Sequence, residues 1–249
     1  MIYLRKFNES IENIESICQK YGINNYTINE DGSIDVDGNV NLKNKKLTKL
    51  PLKFKNIAGS FDCTYNKLTT LEGAPKSVGS SFYCSDNKLT TLEGVPKSVG
   101  CNFDCSYNKL TTLEGALQSV GGNFYCDNNK LTSLKGAPKL VGDGFYCDNN
   151  QLITLEGAPQ SVGSFDCSNN QLTTLEGSPK SVGGYFDCNN NQLVNLEFTP
   201  SCISLYCFDN PIHKWWSKID IDKLEAFIDL GIDSRDPDFM NQEKIDLLE

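Results

Sequence analysis

Apolar residues return along this chain at a fixed interval. From Phe61 onward a Phe-x-Cys pair is followed by Asn three residues later, by Leu after two more and by a second Leu after three more. Phe165-Asp-Cys-Ser-Asn-Asn-Gln-Leu-Thr-Thr-Leu175 shows the pattern in full. Other copies begin at Phe61, Phe82, Phe103, Phe124, Phe145 and Phe186, with a degraded copy at Leu205. Their central cysteines, Cys63, Cys84, Cys105, Cys126, Cys147, Cys167, Cys188 and Cys207, are separated by 21, 21, 21, 21, 20, 21 and 19 residues. One period before Cys63 lies Leu42, inside Val40-Asn-Leu-Lys-Asn-Lys-Lys-Leu47, so a divergent turn precedes the first cysteine. A period near twenty with one apolar pattern per period predicts a solenoid, in which each turn buries its apolar face against its neighbours.

Within a copy, the spacing of two puts Phe and Cys on one face of a short strand and sends the residue between them to the other. The Asn column (Asn66, Asn87, Asn108, Asn129, Asn150, Asn170, Asn191, Asn210) falls where the chain must turn out of that strand. A buried Asn there can satisfy the turn's free backbone groups, so stacked copies predict a hydrogen-bonded ladder. The return segment, Glu-Gly-Ala-Pro-Lys-Ser-Val-Gly in one copy, is too short and too rich in Gly and Pro for a helix. The outer face is therefore expected to be extended or turn-like. Stacking at ~4.8 Å per strand would make the array about 40 Å long.

The segment Phe165-x-Cys167-x-x-Asn170-x-Leu172 resembles the leucine-rich repeat segment Leu-x-Leu-x-x-Asn-x-Leu, with Phe and Cys in the first two Leu places. Val162 supplies the preceding apolar position, and the short period resembles the bacterial class of these repeats. The wording Cys-Ser-x-Asn with Leu-Thr-Ser/Thr-Leu-Glu-Gly-x-Pro is similar to leucine-rich repeat proteins of bacteria and their tailed phages. The resemblance covers residues 40 to 212. It implies an α/β solenoid, a leucine-rich repeat array of about nine turns whose parallel β-sheet lines the concave side, with a non-helical outer face. It also implies a scaffold rather than any one activity. One departure stands out: Val precedes Phe by four residues in most copies (Val78 to Phe82, Val99 to Phe103), so a one-residue bulge is expected before the strand.

The two ends are expected to cap the open core of such an array. In residues 1 to 39, Ile11, Ile14, Ile17, Cys18 and Tyr21 recur at helical spacing, with Ser10 as N-cap and Gly22 as stop. Two short alternating strands then flank Asp31-Gly32 as a hairpin. Ser33 to Gly38 has the look of a calcium loop, but two of its required carboxylates are missing. In residues 213 to 249, Ile221, Leu224, Phe227 and Ile228 form a helical stripe ended by Gly231.

Charge narrows the partner class. The chain carries a net charge of -9, and of its 23 basic residues only Arg5 and Arg235 are arginine, both outside the repeats. A nucleic-acid binder needs a basic stripe to exchange for counterions, which disfavours that class. Eleven cysteines with eight in a single column fit reduced thiols better than paired bridges. The N-terminus lacks the apolar run of a signal peptide and no segment could span a bilayer, so a soluble, cytoplasmic protein is expected, in the host cytoplasm if phage-encoded.

The cysteine column is tempting as a metal or redox ladder. No Cys-x-x-Cys or nearby His completes a tetrahedral set, however, and Cys packs well as a small hydrophobe. His213 is the lone histidine and stands beside Trp215 and Trp216, with no nucleophile motif to serve. No enzyme, metal or cofactor is expected. The Lys67, Lys88, Lys109, Lys130 and Glu72, Glu93, Glu114 ladders read as a solvated rim.

The outward strand positions are more informative. Between Phe and Cys they are Asp62, Tyr83, Asp104, Tyr125, Tyr146, Asp166, Asp187 and Tyr206. Just after Cys stand Asp127 and Asp148, and just before Phe186 stands Tyr185. From the second turn on these columns hold six Asp and no Lys or Arg, which predicts an acidic face studded with tyrosine. Tyrosine offers rigid, amphipathic contact area, and the carboxylates favour a cationic partner. The leading expectation is a non-enzymatic protein–protein interaction module that holds a basic protein or peptide on this face. Two alternatives are a structural spacer, such as a phage-particle component, and a phage-encoded antagonist that blocks a host factor.

Overall fold

The computed structural model describes residues 2–212, with side chains from residue 11. His213, Trp215, Trp216 and the proposed C-terminal stripe from Ile221 to Ile228 lie outside the described residues. Helix α1 spans Ile2–Tyr21 and therefore runs through Ser10, which is not its N-cap. Serine costs little inside a helix, so the local cap signal does not decide where this one starts. Ile14 and Cys18 are buried, and Ile17 and Tyr21 pack against them. Gly22, at φ +66°, ends the helix in a Schellman motif: its N–H donates to Gln19 O and the Ile23 N–H to Cys18 O.

The expected hairpin follows, with β1 (Tyr26–Ile28) antiparallel to β2 (Ile34–Val36). The turn between them has its glycine, Gly32, at φ +74°. Strand β2 then pairs in parallel with Phe54–Ile57, so the hairpin is continuous with the sheet that follows it.

From Val40 to Tyr206 the chain coils into a parallel solenoid. One strand per turn builds a nine-stranded sheet, running from Val40–Asn41 at one end to Ser204–Tyr206 at the other. Register follows the repeat, since Phe61, Phe82, Phe103, Phe124, Phe145, Phe165 and Phe186 pair in succession. All seven are fully buried, and consecutive rings stack with centroids 5.1–5.6 Å apart. The two leucines of each turn and the cysteine beside each Phe complete one continuous core.

The asparagine ladder forms as the spacing predicts. Asn87 Nδ2 donates to the carbonyls of Cys84 and Ser85 in its own turn and of Cys63 in the turn before, while its Oδ1 accepts the Leu68 N–H at 2.9 Å. Asn108, Asn150, Asn170 and Asn191 repeat this set. Each therefore closes its own turn and ties it to its neighbour. Among the described residues, no buried side-chain nitrogen or oxygen lacks a partner.

The valine before each Phe does not mark a bulge. It belongs to a separate two-residue strand: Ser77–Val78, Ser98–Val99, Ser119–Val120 and Leu140–Val141 continue from β2 and Phe54–Ile57 as a second parallel sheet. The additional residue forms the corner between the sheets. Glycine at that corner lets the turns stack closely, since a Cβ at Gly100 would lie 2.0 Å from the Gly79 carbonyl oxygen. The outer face is thus extended, as expected, but also paired.

The 20-residue turn is short at this same corner, where Val162-Gly163-Ser164-Phe165 has one residue fewer than its neighbours. The second sheet stops there at Leu140–Val141, and Ser161–Val162 pairs only with Ser181–Val182. Gly142 N–H donates to Val120 O, whereas Gly163 N–H is drawn instead to Asp143 O. Losing one residue shifts the acceptor by two positions, from the place of Val141 to Asp143, and breaks the ladder.

Candidate functional site: the outward strand face

Because Phe and Cys point inward, the residue between them and the residues flanking the pair point outward. Every expected site residue except Tyr206 is half-buried there, and Tyr206 is exposed. The structure gathers the middle of the set. Tyr125 and Tyr146 stack at 4.8 Å with an interplanar angle of 9°, along the direction in which the turns stack. The Tyr185 hydroxyl approaches that of Tyr146, and its ring lies 6.2 Å from Tyr206. Asp62 and Tyr83 stand toward the N-terminal end of the same column, in register with Asp104.

A glycine makes the Tyr146 position possible. Gly144 occupies the outward position two residues earlier, where other turns carry Ser, Asn or Tyr185. A Cβ there would lie 2.5 Å from the Tyr146 hydroxyl oxygen, so the ring leans over the bare backbone. The sequence signal was a lone glycine in a column of small polar residues, which carries meaning only once the ring's direction is known.

Carboxylates surround the tyrosine pair. Asp104 and Asp166 stand in register on either side of it, and Asp127 and Asp148 follow the cysteines of the two tyrosine turns. Several are anchored by short local bonds. Asp104 Oδ1 accepts both the N–H and the hydroxyl of Ser106. Asp166 Oδ1 accepts the Ser168 N–H, Asp187 Oδ1 the Asn189 N–H, and Asp62 Oδ1 the N–H and hydroxyl of Thr64. These Asp residues thus help the strand exit to turn, while their Oδ2 atoms carry no hydrogen bond among the described residues.

Crowding shows in their acidities. Burial, reinforced by Asp166 and Asp127, pushes the Asp148 carboxyl up to about 6. Burial likewise raises Asp127, against the lowering effect of its Asn128 hydrogen bond, and raises Asp187. Tyr185 is raised by burial and then by the neighbouring Tyr146 hydroxyl. Each neighbouring charge makes the next harder to ionise, so the face stores unfavourable energy that a cation would relieve.

The cysteines play no part on this face. Those at the centre of the repeats from Cys63 to Cys188 are fully buried and unpaired, and burial pushes the pKa of their thiols up, which keeps them protonated. Several donate weakly to the next turn's carbonyl, as Cys105 Sγ does to Tyr125 O at 3.2 Å. Among the described residues, no group of three or more His, Cys, Asp or Glu is placed to hold a metal ion. The Lys and Glu ladders are exposed. Among the described residues, no helix is long and apolar enough to cross a membrane.

A second column escaped sequence reasoning. The residue just before each ladder asparagine, from Tyr65 to Asp209, sits in the left-handed region with φ 51–55°, and Asn44 does so at the equivalent place in the divergent first turn. Asn and Asp tolerate that conformation and fill most of these places, which is the signal that could have found it. Tyr65 and Tyr107 are the exceptions, and both are exposed. With Asn44, Asp86, Asn128 and Asn149 they border an open groove of about 770 Å³. Lys43 Nζ lies 5.2 Å above the Tyr65 ring, a cation already in place.

No family model and no curated protein matches this chain. Among solved structures it is similar to YopM from Yersinia enterocolitica WA-314, at 17% identity and a TM-score of 0.25, over 69% of this chain and 56% of that one. The chain spans little more than half the length of that protein. Similarity at this level bears on neither partner nor site, and the solenoid is evident from the chain's own sheets.

Proposed function

We propose that the protein is a non-enzymatic protein-binding module that holds a basic protein or peptide against the outward face of its nine-stranded sheet. The observation that carries this reading is the placement of a stacked tyrosine pair among carboxylates whose ionisation is already resisted by burial and by one another. Tyr125 and Tyr146 lie 4.8 Å apart, Asp148 is pushed up to about 6, and from the second turn on no Lys or Arg shares the three outward columns. Rigid aromatic area supplies contact energy at low entropic cost. The surrounding charge selects a cationic partner and speeds its encounter. The rest of the turn supports this division of labour, since Phe, Cys, Asn and Leu are committed to the core and leave the outward positions free to vary.

The test is capture of partners on immobilised protein at low and high salt, with identification of what is bound. A basic partner retained at low salt, released at high salt and lost in an Asp104→Lys, Asp166→Lys double variant is expected. Retention that ignores both salt and the charge reversals would refute the acidic-face reading.

A further inference from the structure

The outward face is not uniform, and one turn interrupts it. The turn carrying Phe165 presents only Ser164, Asp166 and Ser168 outward, between a turn bearing Tyr146 and a turn bearing Tyr185. Tyr146 turns one face to Tyr125, and the near-parallel stack leaves its other face looking along the array over the Asp166 turn. No bulky side chain of that turn covers it. Tyr185, in register with Ser164 on the next turn, bounds one side as its hydroxyl approaches Tyr146. The result is a slot with an aromatic wall, small residues on its floor and a carboxylate beside it.

We infer that this slot receives an arginine side chain of the bound partner, with the guanidinium flat on the outer face of Tyr146 and its N–H groups directed to Asp166. The inference rests on the acidic-face reading and deepens it by naming the recognised group. Charge complementarity chooses the cation. Asp166 acts on Asp127, Asp148, Asp187 and Tyr185 alike, raising all four, so its carboxylate lies where the negative potential of the face converges. Shape chooses arginine over lysine. A guanidinium is planar, stacks on an aromatic face and presents several donors in one plane, whereas an ammonium is a compact, strongly hydrated point charge. The Ser168 N–H holds Asp166 Oδ1 at 2.9 Å, which fixes the carboxylate and leaves Oδ2 for the ligand.

Fluorescence anisotropy with labelled hexa-arginine and hexa-lysine peptides and the full-length protein tests this. Hexa-arginine is expected to bind about tenfold more tightly than hexa-lysine, a difference of about 1.4 kcal/mol and the size of a partly desolvated cation–π contact. Tyr146→Leu should bring the two peptides within about twofold of each other while hexa-lysine binding persists, and Tyr146→Phe should keep the arginine preference. Equal binding of both peptides to the unaltered protein would leave the acidic face standing and overturn the slot. Binding of neither would overturn both. An arginine preference that survives Tyr146→Leu would also remove the slot. Thermal melting reports whether that variant folds; Asp166→Asn, expected to lose the preference as well, serves if it does not.

Discussion

The ring of Tyr146 lies over the Cα of Gly144, so close that a Cβ there would sit 2.6 Å from two of its ring carbons. Gly144→Ala must therefore push the ring aside and disturb its stack on Tyr125. The atoms in the way belong to a movable side chain, so stability should change by no more than about 1 kcal/mol. Binding of a basic peptide should weaken instead. Near-ultraviolet circular dichroism of the tyrosines, read beside peptide affinity, checks both halves, and an unchanged tyrosine signal would count against the seating of Tyr146.

The stacked phenylalanines carry the fold. Phe124 is fully buried between Phe103 and Phe145, with ring centroids 5.6 and 5.1 Å away. Phe124→Ala should cost about 3–5 kcal/mol. Because each turn rests on its neighbours, hydrogen exchange should quicken first in the two adjoining turns. Chemical denaturation that matches the unaltered protein would contradict the core assignment.

The ladder asparagines should be hard to replace. Asn108→Ala leaves the Leu89 N–H and the carbonyls of Cys84, Cys105 and Ser106 without that partner in a buried place. A loss of about 2–4 kcal/mol is expected. Asn108→Asp keeps an acceptor for Leu89 but removes the amide donor, so it should also destabilise. Denaturation midpoints for the pair of variants measure this.

Acidity should stabilise the chain mildly. The Asp148 carboxyl is raised from 3.8 to about 6, so the folded form holds its proton more tightly than the unfolded chain does. Its favourable contribution is complete below pH 3.8 and is lost as pH rises through about 6. Melting temperature should therefore rise as pH is lowered from 7.5 toward 5.5. Asp148→Asn should raise it at pH 7.5 by on the order of 2 °C, since partial exposure screens the effect, and should flatten the pH trend. A cationic ligand lowers the same pKa, so its affinity should grow as pH rises from 5.5 to 7.5. A melting temperature that falls between pH 7.5 and 5.5 would contradict the sign.

Restoring the missing residue should mend the second sheet. Inserting one glycine between Gly163 and Ser164 gives that turn the 21-residue length of its neighbours. The Gly163 N–H should then return from Asp143 O to the valine carbonyl of the preceding turn, the pattern of Gly142 and Gly183. Slower amide exchange at Val162 and Gly163 is the expected readout.

The period, the inward columns and the asparagine ladder were all legible in the chain, because each depends only on spacing. Alternation by two separates Phe and Cys from Asp and Tyr, and a fixed repeat places like residues side by side whatever the curvature. That reasoning also named the residues from Asp62 to Tyr206 as the outward-facing set. It could not show that Val78 and its counterparts pair in a second sheet, because two residues are too few to carry a period. It misplaced the start of α1, because a serine is compatible with both a cap and a helix interior. The lean of Tyr146 over Gly144, the approach of Tyr185 from two turns away and the weakened acidity of Asp148 were decided by stacking alone. Each is a relation between turns about twenty residues apart or between side chains whose direction the backbone leaves free, and only the folded array brings those atoms within reach.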